Sequence, residues 1–144
     1  MLKTIPEGYT TVTPYLTVRD VAGLLAFLKS GLNAKEVMRF PGPGGKIMHA
    51  EVQIGNARVM MGEPMDATAL MPAQLYLYVD DVDAAFAQAV KAGAEANRQP
   101  EDQFYGDRVA SVSDAYGNRW TFATHREDVS VEEMQRRMAA MWKN

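Results

Sequence analysis

Residues 103–128 read QFYGDRVASVSDAYGNRWTFATHRED. Within them, Arg108–Ser113 and Asn118–Thr124 alternate apolar and polar residues with the period of two that a half-buried strand requires. Between the two lies Asp114-Ala115-Tyr116-Gly117-Asn118. Asp, Gly and Asn turn a chain by tolerating positive φ or by bonding their own backbone. The stretch predicts a β-hairpin, and a weaker copy of it occurs earlier in the chain.

The copy is held in one register. Tyr15, Leu16, Val18, Asp20 and Val21 match Tyr76, Leu77, Val79, Asp81 and Val82 at a constant offset of 61 residues. Gly55-Asn56 likewise matches Gly117-Asn118 in the turn before each last strand. In the first copy, Thr13–Val18 alternates as a strand, Asp20 stands at an N-cap, and Val21, Leu24, Leu25 and Leu28 have helical spacing up to a C-cap at Gly31. Strands are expected at Lys35–Phe40, Lys46–Ile54 and Arg58–Glu63, with a loop at 41–45. Pro64 to Pro72 reads as a linker. The second copy then runs through a strand at Gln74–Val79, a cap at Asp81, a helix to Gly93, an irregular stretch Arg98–Phe104 and the hairpin.

The repeat predicts an α+β fold: one domain over 1–144 made of two βαβββ modules, residues 10–64 and 73–126. Each module alone is too small to bury a good core, so the two sheets must pair, within one chain or across a dimer. Ser130 and Glu133 match a capping box that opens a C-terminal helix over 130–143, with Val131, Met134, Met138, Met141 and Trp142 on its apolar face. That helix is expected to pack on the barrel or on a partner subunit.

Composition narrows the function. A net charge of −3 without a Lys/Arg-rich run argues against nucleic acid. No apolar run approaches the length of a membrane span, and the first residues lack the apolar core of a signal peptide, so a cytoplasmic protein is expected. Zero cysteines exclude thiol catalysis and cysteine-ligated metal. No glycine-rich phosphate loop or serine nucleophile elbow is present.

Paired βαβββ modules resemble the vicinal oxygen chelate superfamily of glyoxalases, bleomycin-resistance proteins and extradiol dioxygenases, which implies that the two modules form a glyoxalase-like curved sheet or barrel. Residues 103–107, 114–118, Trp120 and 123–128, with His49-Ala50-Glu51 and the tail Ser130–Met134, resemble its PhnB-like branch. The resemblance implies metal-ligand positions near the start of each module's first strand and in its last strand. They fall at Thr13, Gln74, Met60 and Thr121, and none offers an imidazole or a carboxylate. No metal and no other cofactor is therefore expected, because a catalytic divalent ion needs several converging His or carboxylate ligands.

Strand alternation puts Thr13, Tyr15, Met60, Gln74, Tyr76 and Thr121 on the inner face as a ligand-binding lining, with Thr17, Tyr78 and Arg119 on the same faces. Leu16, Val18, Leu75, Leu77, Val79, Trp120 and Phe122 take the opposite face beneath the helices. A lining of phenols, hydroxyls and an amide suits a mostly neutral small organic molecule. The equivalent placement of Tyr15 and Tyr76 equally suits filling of the sheet interior. Met48, Met60, Met61, Met65 and Met71 are expected chiefly to fill core gaps.

His49 and Glu51, two apart on a strand, share a face and either supply two ligands to a divalent metal, the alternative to a metal-free site, or form a hydrogen-bonded pair steadying the sheet. Asp102 and Asp107 bracket a loop, and one is a candidate general base if that loop folds over the cavity. His125 is expected to organise the chain's exit from the last strand. The reading that follows is a metal-independent binder of a small organic molecule, working as a homodimer. The alternatives are a glyoxalase-type lyase or isomerase acting on a carbonyl compound through His49, Glu51 or Asp107, and an antibiotic-sequestering resistance protein.

Overall fold

The computed structural model describes residues 1–143. Strands β1 (Tyr15–Thr17), β2 (Lys35–Pro41), β3 (Ile47–Ile54) and β4 (Ala57–Gly62) form one four-stranded sheet in the order β1-β4-β3-β2. Strands β5 (Gln74–Tyr78), β6 (Glu95–Asp102), β7 (Asp107–Ser113) and β8 (Arg119–His125) form a second in the order β5-β8-β7-β6. Both sheets are mixed: β1 pairs parallel to β4 and β5 parallel to β8, and the remaining pairs are antiparallel. Helices α1 (Val21–Leu32), α2 (Val82–Lys91) and α3 (Val131–Met141) complete the α+β architecture.

Asp20 and Asp81 cap α1 and α2, each carboxylate accepting from the backbone N–H three residues on. The C-terminus of α1 differs from the sequence expectation. Gly31 lies inside the helix, and Asn33 ends it with φ of 57°. Gly31 is small for another reason: a Cβ there would meet the Ala92 methyl at 3.2 Å and the Phe27 ring at 3.1 Å. It lets α1 close on the end of α2.

The two modules meet through these helices, while no strand of one sheet hydrogen-bonds to the other among the described residues. Gln88 of α2 donates to the Ser30 carbonyl and the Asn33 side chain at the end of α1. Leu24, Leu25, Leu28, Val82, Phe86 and Ala89 join Leu16, Val18, Val52, Met61, Trp120 and Phe122 in one buried core. Leu75, Leu77 and Val79 are half-buried at its margin. Of the clustered methionines Met61 is core, whereas Met65 and Met71 are exposed because the linker runs over the surface.

The 114–118 turn fastens the modules together. Asp114 accepts from the Tyr116 and Asn118 backbone N–H groups, the Asn118 amide and the Trp120 indole. The Asn118 side-chain oxygen in turn accepts from the Ala73 N–H at the head of β5. Arg19 of the first module donates to the Ala115 carbonyl at 2.7 Å, and Tyr116 packs against the bare Gly23 on the first turn of α1.

Two further expectations are corrected. The stretch from Arg98 is not irregular, since Glu95–Asp102 is β6. Ser130 caps α3 by accepting from the Glu133 N–H, but the Glu133 carboxylate pairs with Arg136, so only half of the capping box forms. Helix α3 buries no residue and is tied down through Arg137, which donates to the Phe104 carbonyl and to Glu127. No helix of the described chain is long and apolar enough to cross a membrane.

Candidate functional site

The inner face of the second sheet holds a recess of about 570 Å³. Gln74 and Tyr76 of β5 reach it beside Arg119 and Thr121 of β8, their partners in register. Ser111 of β7, Arg98 of β6 and Tyr105 of the β6–β7 turn close its other sides. Arg98 adds a second guanidinium to that of Arg119, and Tyr105 a second phenol to that of Tyr76. Burial, with Tyr105 and Asp107 beside it, raises the Tyr76 phenol well above its ordinary pKa. Tyr76 therefore faces the recess as a neutral hydroxyl.

Asp107 stands at one end of this face, as the first residue of β7 rather than on a loop over the cavity. It is 4% exposed and accepts from Tyr76 at 3.0 Å, Tyr78 at 3.2 Å and His125 Nδ1 at 2.8 Å. Burial pushes its pKa up, but those three hydrogen bonds together outweigh it and hold the carboxyl below its ordinary value. A carboxylate so fully occupied anchors its neighbours instead of taking a substrate proton. Asp102 is engaged by Arg108 at 3.2 Å. Asp128, with Asp107 second, raises the His125 pKa, so His125 ties the end of β8 to the chain that leaves it.

The first sheet presents a second, different cluster. Tyr15 lies opposite Met60 as Tyr76 lies opposite Thr121, and Met60 lies opposite Glu51. The Tyr15 hydroxyl is 3.2 Å from His49 Nδ1, and His49 Nε2 is 2.6 Å from Glu51 Oε2. Phe40 stacks on the imidazole with centroids 6.2 Å apart. Thr13 precedes β1 and is half-buried at the edge of this face.

The six inner-face positions thus divide into equivalent halves. Gln74, Tyr76 and Thr121 line the recess, while Thr13, Tyr15 and Met60 belong to the other sheet and do not reach it. The residues do not fit the divalent ion that a glyoxalase-like fold implies. The four mapped positions carry hydroxyl, thioether and amide groups, and no group of three or more His, Asp or Glu side chains among the described residues is placed to hold a metal.

Arg98, Tyr105 and Ser111 were not among the inner-face residues named from the sequence, whereas Arg119 was placed on the face of Thr121 and lines the recess with it. Ser111 sits in an alternating strand of the hairpin and was within reach of the same parity argument. Arg98 and Tyr105 lie on a strand and turn without an alternating pattern.

The family model described as Glyoxalase/Bleomycin resistance protein/Dioxygenase superfamily matches residues 9–122. An uncharacterized protein of Mycobacterium bovis is 35% identical over 140 residues, which cover 90% of this chain and 92% of that one. Among solved structures, TioX from Micromonospora sp. ML1 has a TM-score of 0.70 at 25% identity, with 81% of this chain and 98% of TioX covered. A glyoxalase-related enzyme from Fulvimarina pelagi has a TM-score of 0.64 at 16% identity, over 80% of this chain and 87% of its own, a likeness of fold.

Proposed function

The chain belongs to the Glyoxalase/Bleomycin resistance protein/Dioxygenase superfamily, and from that premise we propose that it binds a small polar organic molecule in the recess of the second sheet without a metal ion. Within the superfamily we place it in the PhnB-like branch, on the residues of 103–128 and the tail that follows. The observation that carries the binding reading is the recess itself. Gln74, Tyr76 and Thr121 stand there with Arg98, Arg119 and Tyr105, an aromatic and cationic wall suited to a ring bearing a carboxylate or hydroxyl.

The working unit of this reading is a homodimer. The two sheets of one chain turn their helix-covered sides to each other and leave their inner faces open. Tyr15, Tyr76 and Tyr78 are 48%, 45% and 67% exposed on them. A second copy that sets its first sheet opposite this chain's second sheet would make the two faces the walls of a shared cleft and shield the β5 edge.

Salicylate, which combines a ring, a carboxylate and a hydroxyl, is a fitting probe. In chelator-treated protein it is expected to shift the backbone amide signals of Tyr76, Arg119 and Thr121. Tyr76→Ala is expected to weaken its binding about tenfold, the loss of one good contact. Shifts that appear only after Ni²⁺ or Zn²⁺ is added would contradict the proposal.

A further inference from the structure

We propose that Tyr15, His49 and Glu51 form a nucleophile–base–carboxylate relay that makes the Tyr15 hydroxyl reactive toward activated carboxylic esters. The site lies on the first sheet and is independent of the reading of the recess on the second.

Two strands build it, with β4 between them. Tyr15 comes from β1, while His49 and Glu51 share one face of β3. Glu51 Oε2, at 2.6 Å, accepts from His49 Nε2–H. With that proton on Nε2, Nδ1 is left as the acceptor, 3.2 Å from the Tyr15 hydroxyl that donates to it. Nucleophile, base and orienting carboxylate stand in the order required to draw a proton from a weak hydroxyl as it attacks.

The surroundings favour chemistry over mere packing. Glu51 is 6% exposed, and its other oxygen, Oε1, is buried with no hydrogen-bond partner. A carboxylate held only for the sheet's sake would be expected to satisfy both oxygens. Tyr15 is nearly half exposed and Phe40 is 55% exposed, so a planar group can approach the imidazole between them. Gly62 lies opposite Thr17 of β1, and a Cβ there would come within 2.8 Å of the Tyr15 hydroxyl, so its bare Cα leaves that oxygen room.

The second module supplies an internal contrast. Tyr76 is the repeat equivalent of Tyr15, but it and Tyr78 donate to the Asp107 carboxylate and have raised pKa values, with burial the largest cause. Those phenols are held as neutral donors. Among the described residues, Tyr15 alone of these phenols faces an imidazole.

In the reaction, Tyr15 Oη bonds to the ester carbonyl carbon while its proton passes to His49 Nδ1. The carbon–oxygen bond to the leaving group then breaks, and that group departs with the proton from Nδ1. Water, deprotonated by the same nitrogen, cleaves the acyl-tyrosine and restores the relay. No oxidant or reductant is needed. The substrate class is a small ester with a flat, apolar leaving group that can lie against Phe40.

p-Nitrophenyl acetate is the probe, added to the full chain and followed by release of p-nitrophenolate and by peptide mass spectrometry. The acetyl group is expected on Tyr15 ahead of the other tyrosines and lysines, with a burst of p-nitrophenolate. His49→Gln and Glu51→Gln are expected to slow acylation about 10²-fold or more, and Tyr15→Phe, which removes one exposed oxygen, to abolish the adduct. Acetylation spread over lysines and tyrosines without preference for Tyr15 would overturn the proposal. So would an acylation rate that is unchanged in a folded His49→Gln protein. The site of labelling is read on the unaltered protein, so that result does not depend on any variant folding.

Discussion

His125 stands opposite Asp107 in the β7–β8 register, and its second ring nitrogen meets Asp128. Its pKa is raised by Asp128 first and Asp107 second, so its contribution to stability is complete below the ordinary histidine value of 6.5. The contribution fades as pH rises through the higher folded value. Asp107 has the opposite sign, because its lowered pKa gives stability above the ordinary 3.8 that is lost as pH falls through the folded value. The melting temperature is therefore expected to be highest in the weakly acidic range and to decline toward alkaline pH. His125→Gln should flatten that decline, as measured by thermal melts from about pH 5 to about pH 9. Parallel curves for the two proteins would show that His125 carries no such linkage. In the sequence, His125 was legible as a group that secures the chain's exit, but Asp107 looked like a loop residue. Its three donors come from β5 and β8, and their approach depends on a strand order that no local pattern reveals.

At the scale of elements, the 103–128 hairpin was legible because each residue type agrees with its neighbours. Alternation marks both strands, and Asp114, Gly117 and Asn118 each occupy the turn position their chemistry suits. Strand β6 was hidden because seven of its eight residues are exposed and it shows no alternation. Its pairing with β7 also slips between Ala96 and Arg98 and again before Glu101, where Pro100, unable to donate, sits on the sheet's edge. Gly31 misled for a related reason, because a glycine near a helix end reads as a cap when nothing shows the neighbouring helix. The turn that joins β6 to β7 makes a sharper demand. Gly106 has φ of 100°, and a Cβ there would lie 2.1 Å from the Glu127 carbonyl oxygen. Gly106→Ala is expected to destabilise the protein by about 1–3 kcal/mol, the range for a strained backbone position. The test is the urea midpoint at constant denaturant slope, and an unshifted midpoint would show that the turn relaxes freely.

For the whole molecule, the constant offset of 61 residues was enough to reveal two modules, and the β1–β4 and β5–β8 registers place Tyr15 and Tyr76 equivalently. How the modules meet was not legible, because small residues such as Gly31 and Ala92 form the helix contact and carry no pattern of their own. The resulting chain has its core between the helices and two open inner faces with different equipment. One carries Tyr15, His49 and Glu51 in a hydrogen-bonded line; the other carries a recess with two arginines and two tyrosines. Neither has the ligands a divalent ion needs, which makes metal-independent binding by a dimer the central claim. Native mass spectrometry of the untagged protein tests it most directly. The expected spectrum is a dimer that retains no stoichiometric divalent ion and takes up salicylate, whereas one tightly held divalent ion per chain would contradict the claim.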